Sequence, residues 1–305
     1  IHSKGFYFFL SAQFLSALAD NALLFAAIAL LANMQAPQWH QPLLLQFFVI
    51  SYIVLAPFVG AIADAFPKSN VMFFSNGIKL IGSLAMLAGI PPLYAYGIVG
   101  IGAASYSPAK YGILTELLPS KELVAANGWV EGLTVAAIIF GAIIGGIFAN
   151  FSPQIAIIII SFLYLAAAIC NRYIPFVPID HKLNTKNPMY LLKDFYISLK
   201  KLWLDPLGQL SLVITTLFWG AGATLRLVVI VWASFALSFG LDRATLLTAM
   251  VALGVAIGSV IAARFIKMKD AVKILLVGFF MGILVCVMVF LNTWQAAAIN
   301  LLLIG

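Results

Sequence analysis

Four ionisable residues lie several positions inside long apolar runs of the sequence: Asp20, Lys79, Glu131 and Arg226. A charged side chain at the centre of a bilayer costs about 2.5–3.5 kcal/mol on insertion scales, so such residues must be paired, face water, or both. A carboxylate can bind an ammonium group, and a guanidinium can grip phosphate through two parallel hydrogen bonds. The alternative is that the four form internal salt bridges that only hold helices together.

Two amide side chains extend the polar side of the first apolar run. Asn21 follows Asp20 directly, and Gln13 lies seven residues earlier, on the same face of a helix. An acid here and Arg226 on a later helix would suit a zwitterionic headgroup if both faced one cavity, which spacing alone leaves open. We predict a substrate-binding set made of Gln13, Asp20, Asn21, Lys79, Glu131 and Arg226, to which Lys110 is added below.

The elements that carry these residues are membrane helices. The chain is 64% hydrophobic and 9% charged, whereas a soluble domain has roughly 25% charged residues. A span needs about 20 mainly apolar residues. That criterion predicts helices near 6–33, 43–63, 71–90, 93–117, 123–149, 154–174, 207–239, 244–265 and 271–291, and a tenth that starts near Trp294.

The basic residues alternate between the two sides of these helices. Fourteen of the 17 Lys and Arg residues lie at the N-terminus, in the even-numbered connections or toward the helix ends that flank them, and the odd-numbered connections carry only Arg243. Short loops rich in Lys and Arg stay in the cytoplasm. The sequence therefore predicts a multi-pass protein with a cytoplasmic N-terminus, and the net charge of +7 indicates anionic membrane lipids rather than nucleic acid as its partner.

A polar segment divides the chain into two halves. It predicts an N-terminal six-helix half at 1–175, a cytoplasmic linker at 176–206, and a C-terminal half at 207–305 that is truncated in its fourth span, so we expect the natural protein to be longer. Two six-helix halves are the layout of a two-half transporter. Apolar residues recur at helical spacing in the linker, which predicts an amphipathic helix on the cytoplasmic surface. They are Leu191, Leu192, Phe195, Leu199 and Leu202.

Three short motifs lie near helix ends or interfaces. Gly60, Asp64 and Lys68 match the major facilitator loop motif between spans two and three, although Ala65 and Pro67 depart from it; they predict a conformational latch. The stretch 137–146 is similar to an antiporter glycine motif that has lost its proline, and close helix packing is the alternative explanation. In the string 106–112, Pro108 predicts a helix break, after which Lys110 comes near the headgroup level.

Together, several strings resemble the bacterial lysophospholipid transporter family of the major facilitator superfamily. They are Asp20–Phe25, Pro57–Gly60, Ser107–Gly112, Phe218–Gly222 and Thr224–Arg226. The resemblance implies an all-α fold of two six-helix halves and a flippase of the bacterial inner membrane. It implies lysophosphatidylethanolamine, and also lysophosphatidylglycerol, as substrates moved from the outer to the inner leaflet. It also implies a cytoplasmic acyltransferase/acyl-carrier-protein synthetase as partner, and Asp20, Lys110 and Arg226 as headgroup ligands.

Two other functions are alternatives to lysophospholipid transport. A proton-coupled multidrug antiporter is the main alternative, with Asp20 or Glu131 as proton carrier. A membrane-embedded acyltransferase is disfavoured because His2, His40 and His181 lie at the terminus or in loops, outside any catalytic motif. We expect no enzymatic activity, no cofactor and no metal site.

Overall fold

A computed structural model describes residues 4–37, 39–177, 188–238, 241–265 and 276–305. Every regular element in those ranges is helical, which confirms the predicted all-α fold. The α-helices are α1 (Lys4–Asn33), α2 (His40–Ala65), α3 (Lys68–Leu87), α4 (Pro92–Leu117), α5 (Leu123–Phe151), α6 (Pro153–Arg172), α7 (Pro188–Leu204), α8 (Pro206–Ala236), α9 (Leu241–Phe265), α10 (Val277–Val287) and α11 (Trp294–Ile304).

Ten of these helices correspond to the ten predicted membrane helices, and α7 corresponds to the linker helix. Six helical stretches in the described part are long and apolar enough to cross a membrane. They are Lys4–Asn33, His40–Ala65, Lys68–Leu87, Ser120–Ala149, Pro153–Arg172 and Pro206–Leu225. Helix α4 has the length, at 26 residues, but its tyrosines, serines and glycines dilute its hydropathy.

Helix boundaries follow local sequence signals. Ser152 accepts a hydrogen bond from the Ile155 amide at the start of α6, and Asp205 accepts one from the Gly208 amide at the start of α8. In both helices the next residue is proline, at the position where its missing amide hydrogen costs nothing. Pro108 does not break α4, contrary to the sequence-based prediction, because membrane helices tolerate proline where neighbouring helices and polar side chains compensate.

The chain divides into two compact units, Ile1–Leu192 and Lys193–Gly305. In the N-terminal unit α1 packs against α5 and α6, α3 packs against α4 and α6, and α2 packs against α4. Two apolar cores lie toward opposite ends of α1. The first includes Phe6, Phe9 and Leu10, and the second includes Ala19, Leu23 and Ala27. Gln13 and Ser16 lie on α1 between these two cores, and Asp20 and Asn21 lie within the stretch of α1 that carries the second core.

The C-terminal unit has its own core. Helix α9 packs against α8 and α11, and α10 packs against α11. The core residues are Leu225, Val229, Ala233, Leu247, Met288, Ala297, Ala298, Leu301 and Ile304. The predicted division at 175 and 206 stays a prediction, as does the cytoplasmic position of α7, whose Leu192, Phe195, Leu199 and Leu202 are exposed.

Candidate functional site

Asp20 lies in a polar cluster between α1, α3 and α6. The ammonium group of Lys79 donates to Asp20 Oδ2 at 2.7 Å, and the hydroxyl of Tyr164 donates to Asp20 Oδ1 at 2.8 Å. The Lys79 side chain is 2% exposed and the Asp20 side chain is 20% exposed. The structure therefore joins two of the predicted site residues in one ion pair within the N-terminal unit.

Further polar groups support this ion pair from the buried side. The ammonium group of Lys79 also donates to Ser16 Oγ at 2.9 Å, and Ser16 Oγ in turn donates to Asn76 Oδ1 at 2.7 Å. The tyrosine rings add cation–π attraction, since the Lys79 ammonium lies 5.0 Å from the Tyr106 ring centroid and 5.9 Å from that of Tyr164. We call Ser16, Asp20, Asn76, Lys79 and Tyr164 the inner cluster.

The two amides predicted beside Asp20 make other contacts. Gln13 is buried, and its amide donates to Thr134 Oγ1 of α5 at 3.0 Å. The Asn21 amide donates to the backbone carbonyl of Ala17 at 2.8 Å, within α1 itself. Each amide therefore has a partner in the helix bundle, whereas Asp20 has its partners on α3 and α6.

A second cluster joins α4 to α5. The Lys110 ammonium lies 4.2 Å from the ring centroid of Tyr111, and the Tyr111 hydroxyl donates to Glu131 Oε1 at 2.8 Å. Tyr111 is 42% exposed, while Lys110 and Glu131 are half-buried. We call Lys110, Tyr111 and Glu131 the outer cluster. Its cation and its carboxylate are both partly accessible.

Arg226 lies in α8, the first long helix after the linker. Its side chain falls outside the described residues, so its predicted role as a headgroup ligand stays a prediction. The neighbouring Leu225 and Val229 belong to the core of the C-terminal unit.

The predicted latch residues lie at the end of α2 and the start of α3. The Lys68 ammonium forms an ion pair with Asp64 Oδ1 at 3.6 Å and a shorter one with Glu116 of α4. The Asp64 side chain is 71% exposed, and Gly60 has open space around it. Glu116 is therefore the stronger partner of Lys68, and it was absent from the sequence-based latch because the motif extends only from 60 to 68.

The glycine stretch of α5 packs directly against α1. A Cβ atom at Gly141 would lie 2.7 Å from the Cβ of Asn21, and one at Gly145 would lie 2.7 Å from the backbone oxygen of Ala22. These glycines let the two helices approach next to Asp20, which supports the packing interpretation of the motif. Gly146, by contrast, has nothing within 4 Å.

Sequence reasoning missed two tyrosines that organise the clusters. Tyr164 stands in a strongly apolar stretch of α6, and Tyr111 adjoins Lys110 on α4. A buried tyrosine usually has a partner for its hydroxyl. The signal was therefore a tyrosine inside an apolar run, but the sequence offered no means of telling which carboxylate each hydroxyl meets.

This arrangement suits noncovalent recognition of a charged group. Within the described ranges no group of three or more His, Cys, Asp or Glu side chains could hold a metal ion. The accessible groups are one carboxylate in each cluster and the Lys110 ammonium. The carboxylates can bind an ammonium group, and the Lys110 ammonium can bind a phosphate.

Comparison with known proteins identifies the family and the fold. Residues 9–305 match the Major Facilitator Superfamily. The FucP transporter in its outward conformation has a similar fold, with a TM-score of 0.76 at 14% identity over 98% of this chain and 80% of that one. A bacterial homologue of the iron transporter ferroportin, in an outward-facing state, gives 0.61 at 15% identity over 99% and 80% of the two chains. The chain belongs to the major facilitator superfamily of membrane transporters.

Relatives within the superfamily are much closer in sequence. The chain is 43% identical over 305 residues to the lysophospholipid transporter LplT of Serratia proteamaculans (strain 568), covering 99% of this chain and 76% of that protein. It is also 43% identical to LplT of Yersinia pestis (strain Pestoides F), over 99% and 75% of the two chains. These similarities confirm the family resemblance inferred from the sequence motifs.

Proposed function

We propose that this protein is a lysophospholipid flippase. It moves lysophosphatidylethanolamine, and also lysophosphatidylglycerol, from the outer to the inner leaflet of the bacterial inner membrane. The single observation that carries the proposal is the 43% identity to LplT proteins over 99% of the chain. The two charged clusters of the N-terminal unit support it, because the phosphoethanolamine headgroup carries charges of both signs and the phosphoglycerol headgroup carries the negative one.

Different residues bind the two charged groups of the headgroup. Asp20 receives the ammonium group of the ethanolamine moiety, while Lys110 and Arg226 receive the phosphate. Glu131 attracts the ammonium group as it passes the outer cluster and is held in place by Tyr111. The accessibility of Lys110 and Glu131, and the partial exposure of Asp20, support this division.

The transport mechanism is alternating access without ion coupling. Two halves of a major facilitator transporter rock about a central site, which opens to each side of the membrane in turn. With the N-terminus in the cytoplasm, Lys68 and Asp64 belong to a cytoplasmic latch. A cytoplasmic acyltransferase that consumes the lysolipid keeps its inner-leaflet concentration low, so movement inward runs downhill. The protein itself needs no catalytic activity.

A proton-coupled drug antiporter is the alternative function, and two observations weigh against it. That alternative rested on the glycine motif in α5, and Gly141 and Gly145 are instead needed for the close approach of α1 and α5. Its other basis was an intramembrane carboxylate free to carry a proton. Asp20 is paired with Lys79, and Glu131 accepts a hydrogen bond from Tyr111.

The test is flipping of a fluorescent lysophosphatidylethanolamine by the full chain in proteoliposomes, with and without a proton gradient. We expect gradient-independent flipping that is reduced at low lysolipid concentration in Asp20→Asn and in Arg226→Gln, and retained in Asp194→Asn, a control on exposed α7. Folding of each variant is verified by its melting temperature. Absence of lysolipid flipping under both conditions would overturn the proposal and favour drug antiport, and flipping only with the gradient would overturn the uncoupled mechanism.

A further inference from the structure

Lys79 is enclosed on every side by the N-terminal unit. Lys79 is 1% exposed. Its ammonium group donates hydrogen bonds to Asp20 and Ser16 and lies near two tyrosine rings. Its aliphatic stem packs against α4, where a Cβ atom at Gly102 would lie 2.7 Å from Lys79 Cγ. A substrate headgroup cannot reach this ammonium without opening the helix bundle.

Asp20 is held differently, because among the residues that the structure describes it is bound only from its buried side. Its Oδ2 accepts from Lys79 and its Oδ1 accepts from Tyr164. An ionised carboxylate has about four lone-pair sites, so each oxygen keeps one for another donor. The Asp20 side chain is 20% exposed. It can therefore accept an ammonium group from outside the cluster while Lys79 and Tyr164 still fix its orientation.

We propose that Lys79 is a positioning residue, the fixed counter-ion that keeps the Asp20 carboxylate aimed at the substrate's ammonium group. This inference rests on the proposed lysolipid transport and removes Lys79 from the predicted headgroup ligands. A lone carboxylate in a bundle of low dielectric would turn toward water, because burial strongly disfavours an unpaired charge. With Lys79 in place, the cluster is neutral overall and still presents a negatively charged group outward.

The two proposed substrates make this inference testable. The phosphoethanolamine headgroup has an ammonium group for Asp20, and the phosphoglycerol headgroup has none. Both headgroups share the phosphate. A lysine that contacts phosphate would therefore affect both substrates, whereas a lysine that acts through Asp20 would affect only the ethanolamine lysolipid.

The decisive variant is the double substitution Asp20→Asn with Lys79→Gln, in which the cluster stays neutral. Initial flipping rates of both fluorescent lysolipids are measured against concentration in proteoliposomes made from the full chain. We expect the double variant to raise KM for the ethanolamine lysolipid by about ten-fold or more, the loss expected for one charge-assisted hydrogen bond. KM for the glycerol lysolipid should change by less than about three-fold.

Two results would overturn the proposal. An equal rise in KM for both lysolipids would show that Lys79 contacts the phosphate. Unchanged KM for both would show that the pair only holds helices together.

The single variant Asp20→Asn isolates the contribution of Lys79. In the Asp20→Asn background, adding Lys79→Gln should leave KM for the ethanolamine lysolipid unchanged, because the lysine acts only through the carboxylate. A further rise would contradict a purely positioning role. This comparison does not depend on whether Lys79→Gln folds by itself. If the unsubstituted chain flips neither lysolipid, the proposed function fails, and that result is separate from every outcome above.

Discussion

The inner and outer clusters contain the same chemical groups in opposite settings. Each has a lysine, a carboxylate and a tyrosine hydroxyl that donates to that carboxylate at 2.8 Å. In the inner cluster the lysine is buried and bonds the carboxylate directly at 2.7 Å. In the outer cluster it rests on the ring of an exposed tyrosine. Burial fixes the inner cluster in one arrangement, with its carboxylate held in place for the substrate. In the outer cluster, Lys110 and Glu131 are accessible enough to exchange their contacts for new ones.

The largest expected effect comes from breaking the inner ion pair on one side. Lys79→Met keeps the length of the side chain but leaves the Asp20 carboxylate without its counter-ion. Removing one partner of a buried pair costs about 3–5 kcal/mol. We expect a large fall in the melting temperature of the detergent-solubilised protein. Lys110→Met in the outer cluster is the matched control, and a similar fall there would contradict the contrast between the clusters.

A tyrosine can be replaced by phenylalanine once in each cluster. Tyr164→Phe removes a buried hydroxyl that donates to Asp20 and should cost about 1.5–3 kcal/mol, the range for hydrogen bonds to charged groups. Tyr111→Phe removes the equivalent bond to Glu131 at an exposed site. Because that site is partly accessible, the cost should stay below about 1 kcal/mol. Thermal unfolding of the two variants side by side measures the difference, and equal costs would show that burial does not distinguish them.

The packing of α1 beside the inner cluster gives a smaller effect. At Gly145, a new Cβ atom would lie 2.7 Å from the Ala22 backbone, so Gly145→Ala must push α1 and α5 apart. Overpacking of this kind costs about 1–3 kcal/mol. Gly146→Ala, one residue further along and facing open space, is the control and should be close to neutral. The melting temperatures of the pair decide whether the glycines serve close packing.

The smallest effect is expected at the Lys68 ion pairs outside both clusters. Glu116→Gln removes the nearer partner, and because such pairs are partly exposed the cost should be about 0.2–1 kcal/mol. It should shrink further in high salt, since screening weakens accessible charge pairs. The melting temperature measured in low and high salt tests this. A salt-independent loss would mean that this pair is as shielded from solvent as Lys79 and Asp20.

Sequence alone was enough for the helices and for the candidate charges. Apolar runs of membrane length are local signals, and an ionisable residue such as Asp20 or Lys79 stands out inside one because of its cost in lipid. The pairing of these two residues was not predictable. They are 59 positions apart, and their contact depends on how α1 and α3 are rotated toward each other, which no local pattern records.

Pro108 and Tyr164 show why local sequence signals are not sufficient. Proline strongly disfavours the interior of a helix, yet α4 continues through Pro108 because the surrounding bundle outweighs that preference. Tyr164 carries no local signal, because tyrosine occurs in cores and at interfaces alike, yet its hydroxyl fixes one oxygen of Asp20. In both cases the neighbouring helices determine the outcome.

The neutrality of the inner ion pair has an electrical consequence. Moving one elementary charge through a membrane potential of 100 mV changes its energy by about 2.3 kcal/mol. Lys79 and Asp20 are bonded to each other and belong to one unit, so any displacement of that unit through the field carries their opposite charges together. The work done on one is cancelled by the work done on the other. The pair can therefore cycle with the transporter in an energised membrane without adding a voltage-dependent barrier.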